Sequence, residues 1–205
     1  MGTLFGKDYD SVQIGESKAL PSGGYICRII RAQITTSSNH LPMVEALIDI
    51  CDGEYSNYFS RKFDEAKKQN TSAPYPYNGR VRVVAVDEQG MTKKTFKGFC
   101  TAVEDSNGIS LPREDGAFIN ALSGKLVGVI FGREEFKGKD GKAHWATKPR
   151  WYRSVEAIQN GDYEVPNDVF LNNGSNSYNN SFNSSDLFGN SGADSFSAAE
   201  DDIPF

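Results

Sequence analysis

Apolar and polar residues alternate in the first third of the chain in the way typical of β-strands. Residues 24–34 alternate around several isoleucines and predict a first strand. Residues 43–51 predict a second strand, with four apolar side chains on one face: Val44, Ala46, Ile48 and Ile50. Asp52-Gly53 then predicts a hairpin turn, and the aromatic-rich residues 55–63 predict a third strand.

The middle of the chain changes from alternation to a helical period. Residues 65–79 are polar, contain two prolines and predict a long loop, whereas residues 80–86 fit either a short strand or the start of a helix. In residues 92–105 the apolar side chains recur at intervals of three and four, at Phe96, Phe99, Cys100 and Val103. The sequence therefore predicts one helix here, ended by Asn107-Gly108.

The last patterned part of the chain predicts two more strands. Residues 125–131 are strongly apolar, and residues 136–151 form two arms around a turn at residues 139–141. One helical turn is predicted at residues 154–159, and the pattern disappears after Pro166.

The predicted order is five short strands with a helix between the third and the fourth, as in a five-stranded OB (oligonucleotide- and oligosaccharide-binding) barrel. The sequence therefore predicts a mainly β fold with one helix, an OB-like barrel followed by a disordered C-terminal tail. A generic mixed α+β domain is the alternative. The predicted boundaries are an N-terminal arm at 1–17, the OB-like domain at 18–166, an Asn/Ser/Gly-rich linker at 167–198 and an acidic tip at 199–205.

The charge of the chain is concentrated in its last segment. The net charge of −5 argues at first against a nucleic-acid partner. However, the 39 residues from Asn167 onward hold six of the 27 acids and none of the 22 bases, so the body is close to neutral. Asn, Ser and Gly make up 19 of those 39 residues, a mixture too polar to offset the entropy lost on ordering.

The strongest candidate for nucleic-acid binding is residues 133–153, where seven bases and three acids are interleaved with both tryptophans. Cations neutralise phosphates, and flat rings stack on bases whatever the base sequence. The tryptophans are six positions apart, so an unbroken strand would place both on one face, although Pro149 can bulge the strand. The alternative is core tryptophans beside an ordinary solvated edge. The candidate residues are Lys139, Lys142, Trp145, Lys148, Arg150, Trp151, Tyr152 and Arg153.

A second candidate stretch covers residues 58–82, where bases again cluster between aromatic side chains. Tyr75 and Tyr77 are flanked by prolines and are expected to be exposed for stacking. The alternative is a structural loop with scattered surface charge. The candidate residues are Tyr58, Arg61, Lys62, Lys67, Lys68, Tyr75, Tyr77 and Arg80.

Motifs for catalysis and metal binding are missing from the sequence. It contains no Walker loop, no His-Glu-x-x-His and no Gly-x-Ser-x-Gly. Cys27, Cys51 and Cys100 are widely spaced and form no Cys-x-x-Cys pair, so we expect buried free thiols. We expect no enzymatic activity, no cofactor and no metal. No secretion signal and no 18-residue apolar run occur, so a cytoplasmic protein without a membrane span is expected.

The C-terminus combines three acids at 200–202 with an isoleucine and a terminal phenylalanine. An apolar anchor next to a proline and ringed by negative charge suits a small apolar pocket lined by Lys or Arg on another protein. The end of the chain resembles the C-terminal tip of bacterial and phage single-stranded DNA-binding proteins at Asp201, Asp202, Ile203, Pro204 and Phe205. This resemblance implies that the five residues recruit replication, recombination and repair proteins while the folded part holds the strand.

The body has a resemblance of its own. Four stretches look like a family of phage proteins of Gram-positive hosts, often encoded among recombination and replication genes: residues 20–27, 96–104, 124–132 and 153–158. The similarity spans roughly residues 18 to 166, is diffuse and includes no catalytic signature. It therefore implies a context in recombination or replication and no particular mechanism.

These observations predict a phage-encoded protein that binds single-stranded DNA without strong sequence preference, in the cytoplasm of the infected bacterium. One alternative is a phage adaptor that binds host replication enzymes but not DNA. A phage nuclease or strand-annealing protein is a third class. Because one barrel covers only a short stretch of strand, self-association is a further expectation.

Overall fold

The computed structural model describes residues 19–138 and 140–171 of the 205-residue chain. These residues form five strands: β1 (Gly23–Thr36), β2 (Pro42–Ile50), β3 (Arg80–Val84), β4 (Leu126–Lys137) and β5 (Ala143–Arg153). They also form four helices and one 3-10 turn: α1 (Tyr58–Gln69), the turn Tyr77–Gly79, α2 (Lys94–Asn107), α3 (Asp115–Leu122) and α4 (Val155–Asn160). The predicted arm (1–17), most of the predicted linker, the tip (199–205) and Lys139 lie outside the described residues.

The five strands form one antiparallel sheet in the order β3-β2-β1-β4-β5. The long strand β1 pairs with β4 through its first half and with β2 through its second half, and a bulge separates Ile29 from Arg31. The sheet is open, and β3 and β5 form its edges in the described part of the chain. A mainly β fold with α2 between the third and fourth strands confirms the coarse prediction.

The core lies between the inner face of the sheet and α2. Phe99, Cys100 and Val103 are buried, as the helical period of the sequence predicts. The ring of Phe99 packs edge-on against Tyr152 of β5, with 5.1 Å between ring centroids. Gly108 ends the helix in the left-handed conformation, which glycine adopts without steric cost. The helix therefore fixes β5 from the core side.

Glycine residues leave space for the C-terminal segment on the outer face of β4. A Cβ atom at Gly128 would lie 2.4 Å from the side chain of Ile158 in α4. A Cβ atom at Gly132 would lie 2.5 Å from Pro166. The chain after β5 therefore packs onto the outer face of the sheet, and residues 167–171, assigned by sequence to the linker, continue along β4.

Residues 55–63, predicted as a strand, instead lead into α1. The buried carboxylate of Asp49, at the end of β2, accepts the backbone N–H of Phe59 at 2.9 Å in the first turn of the helix. This bond satisfies a helix N–H group that would otherwise have no partner. Phe59 and Phe63, four positions apart, then pack on the core from one side of the helix. The predicted hairpin and third strand are therefore wrong here, and the third strand is β3.

The hairpin predicted around residues 139–141 joins β4 to β5. Strand β4 is continuous, so the apolar strand at 125–131 and the first arm of the hairpin belong to one element. Helix α3 has no counterpart among the predicted elements. Its eight residues include buried Phe118 and Leu122, and a helix this short has too few turns to establish a period.

Candidate nucleic-acid interface

The two edges of the open sheet approach each other around Tyr77. Tyr77 is 40% exposed, and two cations lie over its ring. The guanidinium carbon of Arg82, on β3, is 5.0 Å from the ring centroid, and Nζ of Lys148, on β5, is 5.7 Å from it. We call this cleft the seam; it has a volume of about 120 Å³ and is lined by Tyr77, Arg80, Arg82, Lys148, Pro149 and Tyr152. The seam therefore brings together the two stretches that the sequence singled out separately.

The arginines of the seam are held by a buried acid on β2. Nε of Arg82 donates to Oε2 of Glu45 at 2.9 Å, and the guanidinium of Arg80 lies 3.8 Å from Oε1. The register explains this arrangement, because Glu45 is opposite Arg82 and Leu47 is opposite Arg80 on the outer face. Both guanidinium groups are therefore held in place while remaining partly exposed.

A second acid holds the cations on β5. The carboxylate of Glu134 lies 2.8 Å from Nζ of Lys148 and 2.6 Å from a terminal nitrogen of Arg150. Burial raises the pKa of Glu134, but the two cations outweigh burial and keep the pKa below its ordinary value of 4.5. The seam and its flank therefore carry four cations against two carboxylates, with a surplus of positive charge: Arg80, Arg82, Lys148 and Arg150 against Glu45 and Glu134.

A second cleft of about 240 Å³ lies next to the seam and shares Arg80 with it. Phe63 of α1 lines this cleft, and Nζ of Lys67 lies 5.0 Å from its ring centroid. Tyr75 also lines it but is only 9% exposed, and its hydroxyl donates to the carbonyl of Ile48 at 2.9 Å. Burial raises the pKa of Tyr75. The expectation that Tyr75 is an exposed stacking residue is therefore wrong.

The remaining candidates from the second stretch lie on α1: Tyr58, Arg61, Lys62, Lys67 and Lys68. None of the five lines the seam or the second cleft in the described part of the chain. The hydroxyl of Tyr58 accepts the backbone N–H of Leu20 at 3.1 Å, which ties the helix to the start of β1. Nζ of Lys62 lies 4.6 Å from the Tyr58 ring centroid. Tyr58 therefore has a structural role.

The two tryptophans of the hairpin point to opposite faces. Trp145 is opposite Glu135, whereas Trp151 is opposite Ile130, because a register shift leaves Arg150 as an extra residue in β5. Residues directly opposite each other share a face, and positions 135 and 130 of the continuous strand β4 lie on different faces. The expectation that both tryptophans share a face is therefore wrong, and the bulge next to Pro149 is the reason.

Trp145 lies near the start of β5, close to the turn of the hairpin, and is 42% exposed. The guanidinium carbon of Arg133 lies 5.1 Å from its ring centroid. The ring of Phe170 packs edge-on against it, also at 5.1 Å between centroids. Trp145 is therefore a surface aromatic with both a cation and a ring beside it.

Three further candidates of the hairpin, Lys142, Tyr152 and Arg153, do not share one environment. Lys142 follows the turn and is exposed, and its backbone N–H donates to Asp140 at 3.1 Å. Arg153 is exposed, and its guanidinium donates to the carbonyl of Tyr152 at 3.0 Å. Tyr152 lines the seam but packs against the core, and burial raises its pKa.

Arg82 ends the second candidate stretch but was not among the predicted binding residues, and no role was predicted for Glu45 or Glu134. Arg82 alternates with buried Val81 and Val83, so alternation marks it as an outward position once residues 80–84 are assigned to a strand. No local pattern identifies the two acids, because each acts by pairing with cations on a neighbouring strand.

Within residues 19–138 and 140–171, no group of three or more His, Cys, Asp or Glu side chains is placed to hold a metal ion. In the same residues, no helix combines the length and apolar content that crossing a membrane requires.

Comparison with known proteins finds no family model and no curated protein that matches this chain.

Proposed function

We propose that this protein binds single-stranded DNA without strong sequence preference and recruits replication, recombination or repair proteins through residues 201–205. The observation that carries the first part is the seam, where an exposed tyrosine lies under Arg82 and Lys148 at 5.0 and 5.7 Å. A ring of this kind stacks on any base, and cations beside it neutralise the adjoining phosphates.

The charge balance of the seam supports an anionic ligand. Four cations share two carboxylates, so a positive surplus remains after the internal ion pairs are counted. The acids also hold the cations in place, which lowers the entropy lost when a phosphate binds. The exposure of Tyr77 to solvent suits a polymer, because a continuous strand must enter and leave the site.

The sheet supports an OB-like fold for the body. A long first strand pairs with both the second and fourth strands, and a helix lies between the third and fourth. An OB fold is a partly open five-stranded barrel that binds oligonucleotides on the face of strands 2 and 3 and on the loop between strands 4 and 5. The seam joins the β3 edge to the β5 edge, which is where such a barrel closes.

Further residues extend the proposed binding surface beyond the seam. Lys142, Trp145 and Arg153 lie on or next to β5 and are at least partly exposed, and Lys67 flanks the second cleft. One seam per chain gives a short footprint, so self-association lengthens the bound site. The tip at residues 201–205 supplies the second part of the function as an acidic peptide with a terminal apolar anchor.

Titration of oligo-dT at two salt concentrations tests the binding function. Tyr77→Ala is expected to weaken binding about tenfold or more, because it removes a stacking ring. Arg82→Ala combined with Lys148→Ala is expected to lower the slope of log affinity against log salt by about 1.4, because two phosphate contacts are lost. Arg113→Ala is the matched control, since it removes an exposed cation outside the seam.

The proposed binding function is overturned if the wild-type chain binds no oligo-dT at low salt. It is also overturned if the seam variants bind as the Arg113→Ala control does. Deletion of residues 199–205 tests recruitment separately: capture of replication or repair proteins is expected to disappear while oligo-dT binding persists. Tip-dependent capture by a chain that does not bind DNA would instead identify an adaptor.

A further inference from the structure

The chain after Pro166 pairs with the free edge of β4. Strand β1 pairs with β4 only as far as Phe131, so the next residues of β4 are not paired with β1. Val169 takes this place: its carbonyl accepts the N–H of Glu135 at 2.8 Å, and its own N–H donates to the carbonyl of Arg133 at 3.1 Å. We call residues 168–171 the strap.

Besides these backbone bonds, the N–H of Leu171 donates to the carboxylate of Glu135 at 3.1 Å, and two side chains of the strap contact the hairpin: one acid and one aromatic ring. The carboxylate of Asp168 accepts two hydrogen bonds from Arg133, the one from Nε at 3.0 Å. The same guanidinium lies over the ring of Trp145, and Phe170 packs edge-on against that ring at an interplanar angle of 86°. The strap therefore places a negative charge on the cation and a flat ring against the tryptophan.

An acid on a guanidinium and a ring against a tryptophan match the phosphate and the base of a nucleotide. We propose that Arg133 and Trp145 form a second strand-binding subsite, that the strap covers it in the free protein, and that single-stranded DNA displaces the strap. This inference rests on the proposed DNA-binding function and adds its regulation. Trp145 and Lys148 lie on opposite faces of the hairpin, so strand that contacts both wraps around the end of β5.

The contacts of the strap are suited to displacement. Phe170 is 51% exposed and Leu171 45%, so little apolar surface holds them. The Arg133–Asp168 pair is at the surface, where ion pairs contribute little to stability. Asp168 has a pKa below its ordinary value because of Arg133, so it is ionised when it competes with phosphate at neutral pH.

Two substitutions in the full-length chain test the proposal. Phe170→Ala and Asp168→Asn each loosen the strap and are expected to tighten oligo-dT binding about three- to tenfold. Phe170→Ala changes no charge, so its effect cannot come from a lower negative charge. Glu164→Gln is the matched control for Asp168→Asn, because it neutralises an exposed acid in the same segment. Trp145→Ala is expected to abolish the gain from either strap substitution.

A measurement without DNA tests the covered state. Trp151→Phe leaves Trp145 as the single tryptophan, and circular dichroism verifies that each variant is folded. In this background Phe170→Ala is expected to shift the Trp145 emission to longer wavelength, because water replaces the ring. Oligo-dT is expected to quench that emission by stacking.

The outcomes separate this inference from the proposed function. If the wild-type chain binds oligo-dT through the seam but the strap variants bind no tighter than Glu164→Gln, the strap inference is overturned and the proposed function stands. A gain that survives Trp145→Ala also overturns it. If neither the wild-type chain nor the strap variants bind oligo-dT, both proposals fail.

Discussion

Nζ of Lys148 lies 2.8 Å from Oε1 of Glu134. The same ammonium group lies 5.7 Å from the ring centroid of Tyr77, so one cation serves both an internal ion pair and the seam. Glu134 also holds Arg150, at 2.6 Å. This carboxylate therefore stabilises the hairpin and at the same time reduces the net positive charge of the seam.

Glu134→Gln is expected to destabilise the protein by about 1 kcal/mol at neutral pH, because the ion pairs are partly buried. Since the pKa of Glu134 is lowered in the folded state, the stabilisation is fully present above 4.5 and is lost as the pH falls through the folded pKa. Urea denaturation across this pH range measures the difference. A difference that persists unchanged in acid would contradict the assignment.

The same substitution is expected to strengthen oligo-dT binding. Removing one carboxylate leaves Lys148 and Arg150 without their shared partner, so both become available for phosphate contacts. An increase of about threefold in affinity is expected at low salt, with a steeper salt dependence. Glu156→Gln, in α4, is the charge-matched control and is expected to change the affinity less.

Asp49→Ala is expected to lower the free energy of unfolding by about 2 kcal/mol. The buried carboxylate accepts N–H groups of Phe59 and Ser60, and alanine leaves both without a partner. Asp52→Ala is the matched control, because its exposed carboxylate accepts the N–H of the next residue, and about 0.5 kcal/mol or less is expected. Equal effects of the two substitutions in urea denaturation would disprove the capping role of Asp49.

Gly128→Ala is expected to destabilise the protein by about 2 kcal/mol, because the new methyl group would lie 2.4 Å from Ile158. Gly98→Ala is expected to stabilise it by about 0.5–1 kcal/mol, since this position in α2 is open and alanine favours helix. Thermal unfolding measures the change in Tm of each variant. The same chemical change is expected to lower the Tm at position 128 and to raise it at position 98. Two shifts of the same sign would contradict the packing of α4 on the outer face.

Cys51 is expected to react with a thiol reagent before the other two cysteines. Cys27 and Cys100 are buried in the core, whereas Cys51 is partly exposed. Burial raises the pKa of all three thiols, that of Cys100 to about 11, so the accessibility of the sulfur sets the order of reaction. Cys51→Ser is expected to remove the fast phase of modification. A fast phase that persists in this variant would show that a core thiol is accessible.

Local alternation was sufficient to predict β1 and β2, because side-chain burial in a strand follows directly from position. It failed for residues 55–63, where aromatic residues favour a strand but Phe59 and Phe63 are also spaced for a helix. The helix is favoured by Asp49, a capping residue on another element. A contact between elements of this kind has no local pattern in the sequence.

The seam was predictable only in pieces. Tyr77, Arg80 and Lys148 were identified as candidates. Their proximity in one cleft depends on how β3 and β5 approach each other, which no local pattern predicts. Tyr75 was placed wrongly because its environment is set by the carbonyl of Ile48, on a distant strand. The face of Trp151 depends on a single extra residue in β5, and one residue reverses every side chain beyond it.

The strap is also a mechanical element. Val169 alone pairs with β4, through two backbone hydrogen bonds, whereas β5 pairs with the same strand at ten positions. The chain continues directly from the strap into residues 172–205. A pull applied to the chain just beyond Leu171 therefore acts on the strap before it acts on the sheet. Two backbone hydrogen bonds break under less force than ten paired positions. The strap is therefore expected to detach while the strands of the sheet stay paired.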